Sequence, residues 1–297
     1  MKSFVTTQDG SITAQKADLG ELYHNRQGAY GEALLNYALP TIELLSQDQA
    51  DLVLLDICFG MGYNTLVLVE QLLKLDRSIN LTVTALDNDP EFVAQSLPLV
   101  LDQPHFACFD QGMQNWIIAA FKSKDWQCFS AGKVNVKARL LDNDLRQALQ
   151  EDLSDSKVGL IYHDPFAPQK VPRLWTSEVF GAYKQMLTLA PSALFTYSCA
   201  SAVRGAMLDN GFSVYQTAKL GGKNGGTLAT ARPLNQSWLD SRQNDYIANL
   251  PQSEQERLQT SSRVPYRDVH GTTAEAMRQA REAEQKQFLA DRQKPIR

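Results

Sequence analysis

The hydrophobic pattern along this chain switches repeatedly between strand and helix periods. Leu52 to Ile57 is a continuous apolar run rich in Leu and Val, the pattern of a strand buried on both faces of a parallel sheet. A glycine-containing turn follows, and Asn64 to Leu75 carries helical spacing. Leu81 to Leu86 alternates and is β-branched, which predicts a second strand; Pro90 then stands where the first turn of the next helix begins. Val134 to Leu141, Val158 to Tyr162 and Ala193 to Tyr197 are further strand candidates, with a helical pattern over Glu178 to Leu189. Ser198 to Leu208 reads as a helix stopped at Gly211. Phe212 to Thr217 and Thr227 to Ala231 close the series, joined by a Gly-rich connection (Leu220 to Gly226) short enough for an antiparallel pair. This order predicts the α/β class: a doubly wound, mostly parallel, Rossmann-like sheet of about seven strands, one of them antiparallel. Residues 100–132 fit this register poorly and read as helix and loop. From Pro233 the chain turns polar, and Thr273 to Gln287 has high helix propensity. The expected organisation is an N-terminal segment (1–27), an α/β domain (28–232) and a polar, partly helical C-terminal extension (233–297).

Composition narrows the class. The 297 residues are 43% hydrophobic and 21% charged, ordinary for a globular protein, and no apolar run is long enough to span a bilayer. The first ten residues lack an apolar signal core, so a cytoplasmic location is expected. A net charge of -4 gives no global basic field; a nucleic-acid partner has to be held by local patches. Cys58, Cys108, Cys128 and Cys199 are widely separated and form no C-x-x-C pair, which argues against zinc ribbons and thioredoxin-like sites. Most of them read as buried thiols in a reducing compartment. His24, His105, His163 and His270 show no metal-ligand spacing, and no metal is expected.

The candidate chemistry clusters at predicted strand tips. Tyr162 to Thr176 (Y-H-D-P-F-A-P-Q-K-V-P-R-L-W-T) places Asp164 at the end of a strand, followed by a loop stiffened by Pro165, Pro168 and Pro172. In open α/β sheets that edge is where ligands bind. Asp56-Ile57-Cys58-Phe59-Gly60-Met61-Gly62-Tyr63-Asn64 closes the first strand; Gly60 and Gly62 let a ligand approach the backbone. Asp87, at the tip of the second strand, is placed to accept ribose hydroxyls. The third glycine of the dinucleotide fingerprint is missing, Thr65 standing in its place, which argues against a pyrophosphate and for S-adenosylmethionine. Asp56, at the head of the turn, is a candidate for the cofactor's ammonium group. Asp144 is a candidate for the adenine amine, or else a helix N-cap. Phe166 and Trp175 either stack on an acceptor base or pack on the sheet. Lys170, Arg173, Arg204, Lys219 and Lys223 form a candidate basic rim, each also readable as an ordinary surface charge.

Taken together these motifs resemble one family. D-P-F-A-P-Q-K-V-P-R-L-W-T resembles the D-x-F-x-P-x-K-N-P-x-x-W signature of the MnmC-type tRNA (5-methylaminomethyl-2-thiouridine) methyltransferases. Leu22 to Ala33 resembles that family's Y-H-S-x-x-G-A-x-x-E-A motif, Asp56 to Asn64 its glycine turn, and Ala85 to Pro90 its acidic ribose motif. Asp144 with Arg146 resembles its G-D-x-R element, Tyr197 to Gly211 a T-Y…V-R…G-F segment, and Val264 to Asp268 the P-Y-R-D motif of methyltransferase-only members. The resemblance implies a class I methyltransferase fold and methylation of the aminomethyl group of a modified wobble uridine in the tRNA anticodon stem-loop. It implies catalytic roles for Asp164 and Phe166. His24, Glu32, Asp56, Gly60, Gly62, Asn64, Asp87, Asn88, Asp144 and Asp164 would surround the cofactor. Lys170, Arg173, Trp175, Arg204 and Lys223 would meet the RNA. There is no second dinucleotide-type turn for the flavin oxidase half of bifunctional members, so only methyl transfer is expected. Cys58 and Met61 replace a Gly and a Thr of the cofactor turn, Asn143 replaces the Gly before Asp144, and Val171 replaces the Asn of the signature. Val171 and Asn224 bear on the acceptor more than on the cofactor. Two other readings stay open: a small-molecule amine N-methyl- or aminopropyl transferase, and a non-catalytic nucleotide-binding module.

Overall fold

The computed structural model describes residues 3–16, 20–218, 225–241, 245–268 and 273–292. It begins with an antiparallel meander of β1 (Phe4–Thr6), β2 (Ile12–Lys16) and β3 (Glu21–Leu22). The chain then enters α1 (Ala29–Ala33), passes a π-helical turn (Leu34–Ala38) and continues as α2 (Leu39–Leu44). After these come β4 (Asp51–Ile57), α3 (Tyr63–Leu73), β5 (Ile79–Asp87), α4 (Pro90–Leu101) and α5 (Gln111–Ala120). The edge hairpin β6 (Gln127–Ala131) and β7 (Val134–Asp142) follows, then α6 (Leu145–Gln150), β8 (Leu160–His163), α7 (Ser177–Met186) and β9 (Ala193–Thr196). The rest is α8 (Ser201–Asp209), β10 (Ser213–Thr217), β11 (Thr227–Thr230), α9 (Gln236–Leu239), β12 (Ile247–Asn249), α10 (Gln252–Arg257) and α11 (Ala274–Arg292).

The large sheet runs β12-β10-β11-β9-β8-β4-β5-β7-β6. Its inner seven strands match the expected sheet: β7, β5, β4, β8 and β9 are parallel, and β11 lies antiparallel between β9 and β10. Two outer strands were not expected. β6 pairs antiparallel with β7, and β12 pairs antiparallel with β10. Residues 100–132 therefore hold a strand as well as a helix.

The alternation along each strand assigns the two layers. In β4, Leu52 and Leu54 point into the core beneath α3, whereas Leu55 and Ile57 point into the opposite core with α7 and α8. Burial on both faces explains the unbroken apolar run. Asp56 lies between them on the α3 side, a placement that decides its role below. The helix starts are written locally. Asp89 caps α4 through Phe92 N (3.0 Å) with Pro90 in the first turn, and Asp110 caps α5 through Met113 N (2.8 Å).

The polar C-terminal stretch packs on the α/β layers. Tyr266 is buried and forms a parallel bridge with Thr176, its carbonyl accepting Ser177 N at 2.9 Å. Arg281 of α11 donates to the Val264 carbonyl (2.7 Å) and the Ser262 carbonyl (3.0 Å), and its guanidinium covers the Tyr266 ring. A Cβ on Gly205 of α8 would sit 2.0 Å from the Arg263 carbonyl oxygen, so only glycine permits this contact. The cysteines differ from expectation: Cys108 and Cys128 are exposed and Cys58 and Cys199 half-buried. Cys128 alternates onto the outer face of an edge strand, and Cys108 sits in a surface turn.

Candidate active site

A cavity of about 950 Å³ opens where β4, β5, β7 and β8 end and the meander comes back over them. Asp164 stands at its centre, just past β8. The Asp164 backbone N–H donates to the Ile57 carbonyl at 3.1 Å, and Asn64 Nδ2 donates to its Oδ2 at 2.7 Å. The Tyr37 hydroxyl, presented by the π-helical turn, accepts Tyr197 N at 3.1 Å and favours the charged form of the carboxylate nearby. Burial pushes the Asp164 carboxyl up to about 6, against the opposing effect of these two groups. Both groups are neutral.

Across the cavity, Asp87 Oδ2 accepts Gly60 N (2.8 Å) and Oδ1 accepts Asp89 N (2.9 Å). Burial raises its carboxyl as well. These bonds fix the carboxylate against the glycine turn. The turn is sharply bent: Gly60, Gly62 and Cys58 all have positive φ (56°, 83° and 61°). Cys58 thus occupies a left-handed conformation that costs a non-glycine residue about 1–2 kcal/mol. The Cys58 thiol is raised well above its usual range by burial and by the carboxylates of Asp87, Asp164, Asp56 and Asp144.

Glu32 and His24 also line the cavity. Glu32 Oε2 accepts Asn25 N (3.0 Å), and His24 Nδ1 lies 3.1 Å from Thr13 Oγ1. Burial lowers His24 to about 4, so its ring is neutral near pH 7. Asn88 lies on the rim. Asp144 has both expected features: it caps α6 through Arg146 N (3.0 Å), and it faces the cavity, where it pairs with Arg173. Phe166 is half-buried, edge-on to Tyr23 (ring centroids 5.0 Å apart) with Lys16 over its face. Tyr23 also packs on Phe92, so the meander is tied to both walls.

Several expectations need correction. Asp56 does not reach the cavity: it is fully buried on the α3 side of β4, where its Oδ2 accepts the Thr65 hydroxyl at 2.6 Å. Gly60, Gly62 and Asn64 shape the site from beneath and do not line it. Trp175 is fully buried, with Nε1 donating to the Phe166 carbonyl (2.8 Å) and its ring against His163, so it supports the signature loop and cannot stack on a base. Arg204 is buried too and pairs with Glu254 at 3.1 Å, which takes it out of the basic rim. Lys170 is exposed but outside the cavity; Lys219 and Lys223 lie outside the described residues. The sequence reading missed Tyr37, Tyr23, Lys16 and Arg26. Tyr23 sits inside the Leu22 to Ala33 motif, but nothing local marks Tyr37, which is fully buried on the π turn beneath the site. Among the described residues, no group of three or more His, Cys, Asp or Glu side chains is placed to hold a metal, and no helix is long and apolar enough to cross a membrane.

The strand order and the carboxylate-lined cavity at the parallel strand tips define a class I S-adenosylmethionine-dependent methyltransferase. Residues 105–232 match the family model described as S-adenosyl-L-methionine-dependent methyltransferase. An uncharacterized protein of Methanocaldococcus jannaschii is 29% identical over 231 residues, covering 77% of this chain and 59% of that protein. The tRNA 5-methylaminomethyl-2-thiouridine biosynthesis bifunctional protein MnmC of Azoarcus is 27% identical over 228 residues, covering 73% of this chain and 33% of that protein. The crystal structure of MNMC2 from Aquifex aeolicus superposes with a TM-score of 0.74 at 20% identity, covering 97% of this chain and 86% of that one, and shows the same fold. Over most of its length the chain is similar to the methyltransferase part of MnmC proteins, and it spans about a third of the Azoarcus protein.

The cavity fits the cofactor on its own geometry. A Cβ on Gly60 would come within 3.3 Å of Tyr23, which lines the cavity, whereas one on Gly62 would meet Phe59 in the core at 2.8 Å. Asp87 lines the cavity at the tip of β5, and Leu86 and Leu145 supply apolar wall.

Proposed function

We propose that this protein transfers the methyl group of S-adenosylmethionine to the aminomethyl nitrogen of a modified wobble uridine in the anticodon stem-loop of cytoplasmic tRNA. The observation that carries the reading is Asp164: a partly buried carboxylate in the wall of the cavity, held by Asn64 with the Tyr37 hydroxyl and Phe166 nearby. Asp87 and Asn88 would hold the ribose, Asp144 the adenine edge, and Glu32 and His24 the methionine end. Asn64, Gly60 and Gly62 support these groups from beneath.

S-adenosylmethionine supplies a methyl group already activated on a cationic sulfur. The protein's task is placement and proton control. An alkyl amine is mostly protonated at neutral pH, and only its neutral form has a lone pair. Asp164 accepts the ammonium proton, for which a carboxylate raised to about 6 is better suited than an exposed one. Phe166 and Tyr23 wall the acceptor side and keep water from it. Arg173 lines the cavity and the exposed Lys170 precedes it on the same loop, where phosphates of the RNA would lie.

Labelled S-adenosylmethionine incubated with undermodified tRNA, followed by mass identification of the nucleoside, tests this. Label on the aminomethyl uridine is expected. Label on a free amine and none on tRNA would replace the RNA acceptor with a small molecule. Asp87→Ala is expected to weaken cofactor binding by about 30- to 100-fold, or about 2–3 kcal/mol for lost hydrogen bonds to a charged group. Calorimetry reads this directly; unchanged affinity would remove Asp87 from the ribose.

A further inference from the structure

The outer edge of the sheet carries a second cationic feature, remote from the cavity floor. In β7, Val134, Val136, Ala138 and Leu140 point into the core on the α5 side, while Asn135, Lys137 and Arg139 alternate onto the opposite face. Asn135 and Lys137 are exposed and Arg139 half-buried, so this face of the edge hairpin is open to solvent. Gln127 pairs with Ala138, which sets Trp126 across from Arg139. The Arg139 guanidinium lies 4.4 Å and Lys137 Nζ 4.6 Å from the Trp126 ring centroid. Leu140 N donates to the Ser123 carbonyl (2.9 Å), so the segment with exposed Lys122 and Lys124 runs alongside the end of the same strand.

The charge balance of this strip opposes that of the molecule. Residues 122–139 hold five cations (Lys122, Lys124, Lys133, Lys137, Arg139) and one carboxylate (Asp125), in a chain of net charge -4. Several arginines elsewhere are paired with carboxylates (Arg146 with Asp268, Arg173 with Asp144, Arg204 with Glu254, Arg263 with Asp209), and Arg77 and Arg281 bond backbone carbonyls. Among the described residues, Lys137 and Arg139 make no ion pair, and Arg139 Nε is buried without a hydrogen-bond partner. Two like charges held against one ring without a carboxylate are a site awaiting an external anion. The neighbours Asn135, Asn80 and Ser130 are polar and hydrogen-bonded to one another, which suits a hydrated phosphodiester and not an apolar protein or lipid face.

We propose that this tryptophan-backed cationic strip binds the sugar-phosphate backbone of the acceptor RNA, away from the nucleotide that enters the cavity. The inference rests on the RNA reading above. β7 delivers Asp144 to the cavity a few residues beyond Arg139, and a strand advances about 3.3 Å per residue. The strip therefore begins roughly 15 Å from the mouth, within reach of the stem of an RNA whose loop is inserted. Backbone contacts of this kind position the RNA and carry no sequence information.

The test is binding of a full-length tRNA transcript across a salt series. The variant K137Q/R139Q is expected to lower affinity about tenfold at low salt and to reduce the log–log salt slope by roughly 1–2. Cofactor affinity and melting temperature should be unchanged, and K137R/R139K should keep the parental slope. If K137Q/R139Q melts lower, K122Q/K124Q, both exposed, must still reduce the slope. Parental affinity and slope in the neutralised variants, with the wild type binding and methylating tRNA, would overturn the strip and leave the RNA reading standing. No binding or methylation of tRNA by the wild type would bring down both.

Discussion

Asp164→Asn is expected to bind S-adenosylmethionine as the parent does and to lose methyl transfer by roughly 10²–10⁴-fold, the range for removing a positioned proton acceptor. Asparagine keeps the shape of the side chain but cannot take the ammonium proton. Single-turnover kinetics beside calorimetric titration separates the two effects, and full turnover would make Asp164 purely structural. The pH dependence has a definite sign. The parental rate should rise as pH passes upward through about 6, where Asp164 ionises, and the residual rate of the asparagine variant should lack that step. Stability moves the other way. The folded-state value lies above the ordinary aspartate value of 3.8, so the native state holds this proton more tightly than the unfolded chain. The stabilisation is complete below about 3.8 and is lost as pH rises to about 6. Above that, Asp164→Asn should melt higher than the parent, by at most roughly 2–3 kcal/mol of stability.

Arg204→Ala should be the most damaging single change outside the cavity. Arg204 Nη1 bonds Glu254 Oε2 (3.1 Å), Nε bonds Thr227 Oγ1 (2.9 Å), and both charged residues are buried. Removing Arg204 leaves the buried Glu254 with only the largely exposed Arg257 (3.3 Å) as a cationic partner, at a cost of up to about 3–5 kcal/mol. For a chain of this size that is a fall of roughly 6–20 °C in melting temperature. Arg204→Met with Glu254→Gln should recover much of the loss, because no unpaired charge is then buried. Parental melting with weakened tRNA binding in Arg204→Ala would return this residue to the RNA surface.

What was legible in the sequence follows from where burial is periodic. β4, β5 and β7 to β9 were readable because their side chains alternate into two cores or fill both. The meander and β12 were not, since strands of two to five residues owe their existence to tertiary partners and not to their own pattern. β6 was hidden because one of its faces is open to solvent. At the site, carboxylates at strand tips were found because the fold fixes what a tip can do; Asp164, Asp87 and Asp144 all line the cavity. Arg204 was misread for the converse reason. Nothing near it announces that Glu254, fifty residues later, returns to meet it. Asp56 was misread by one step of alternation, which turned it beneath the glycine turn and not over it.

The side chains around the cavity carry six carboxylates (Glu21, Glu32, Asp87, Asp89, Asp144, Asp164) and three cations (Lys16, Arg26, Arg173). Such a well favours a sulfonium over a thioether, because a negative potential attracts only the charged one. Each turnover would thus abolish the charge that drew the donor in. The spent nucleoside would be held less firmly than its replacement, and exchange between them would run downhill without any moving part to drive it.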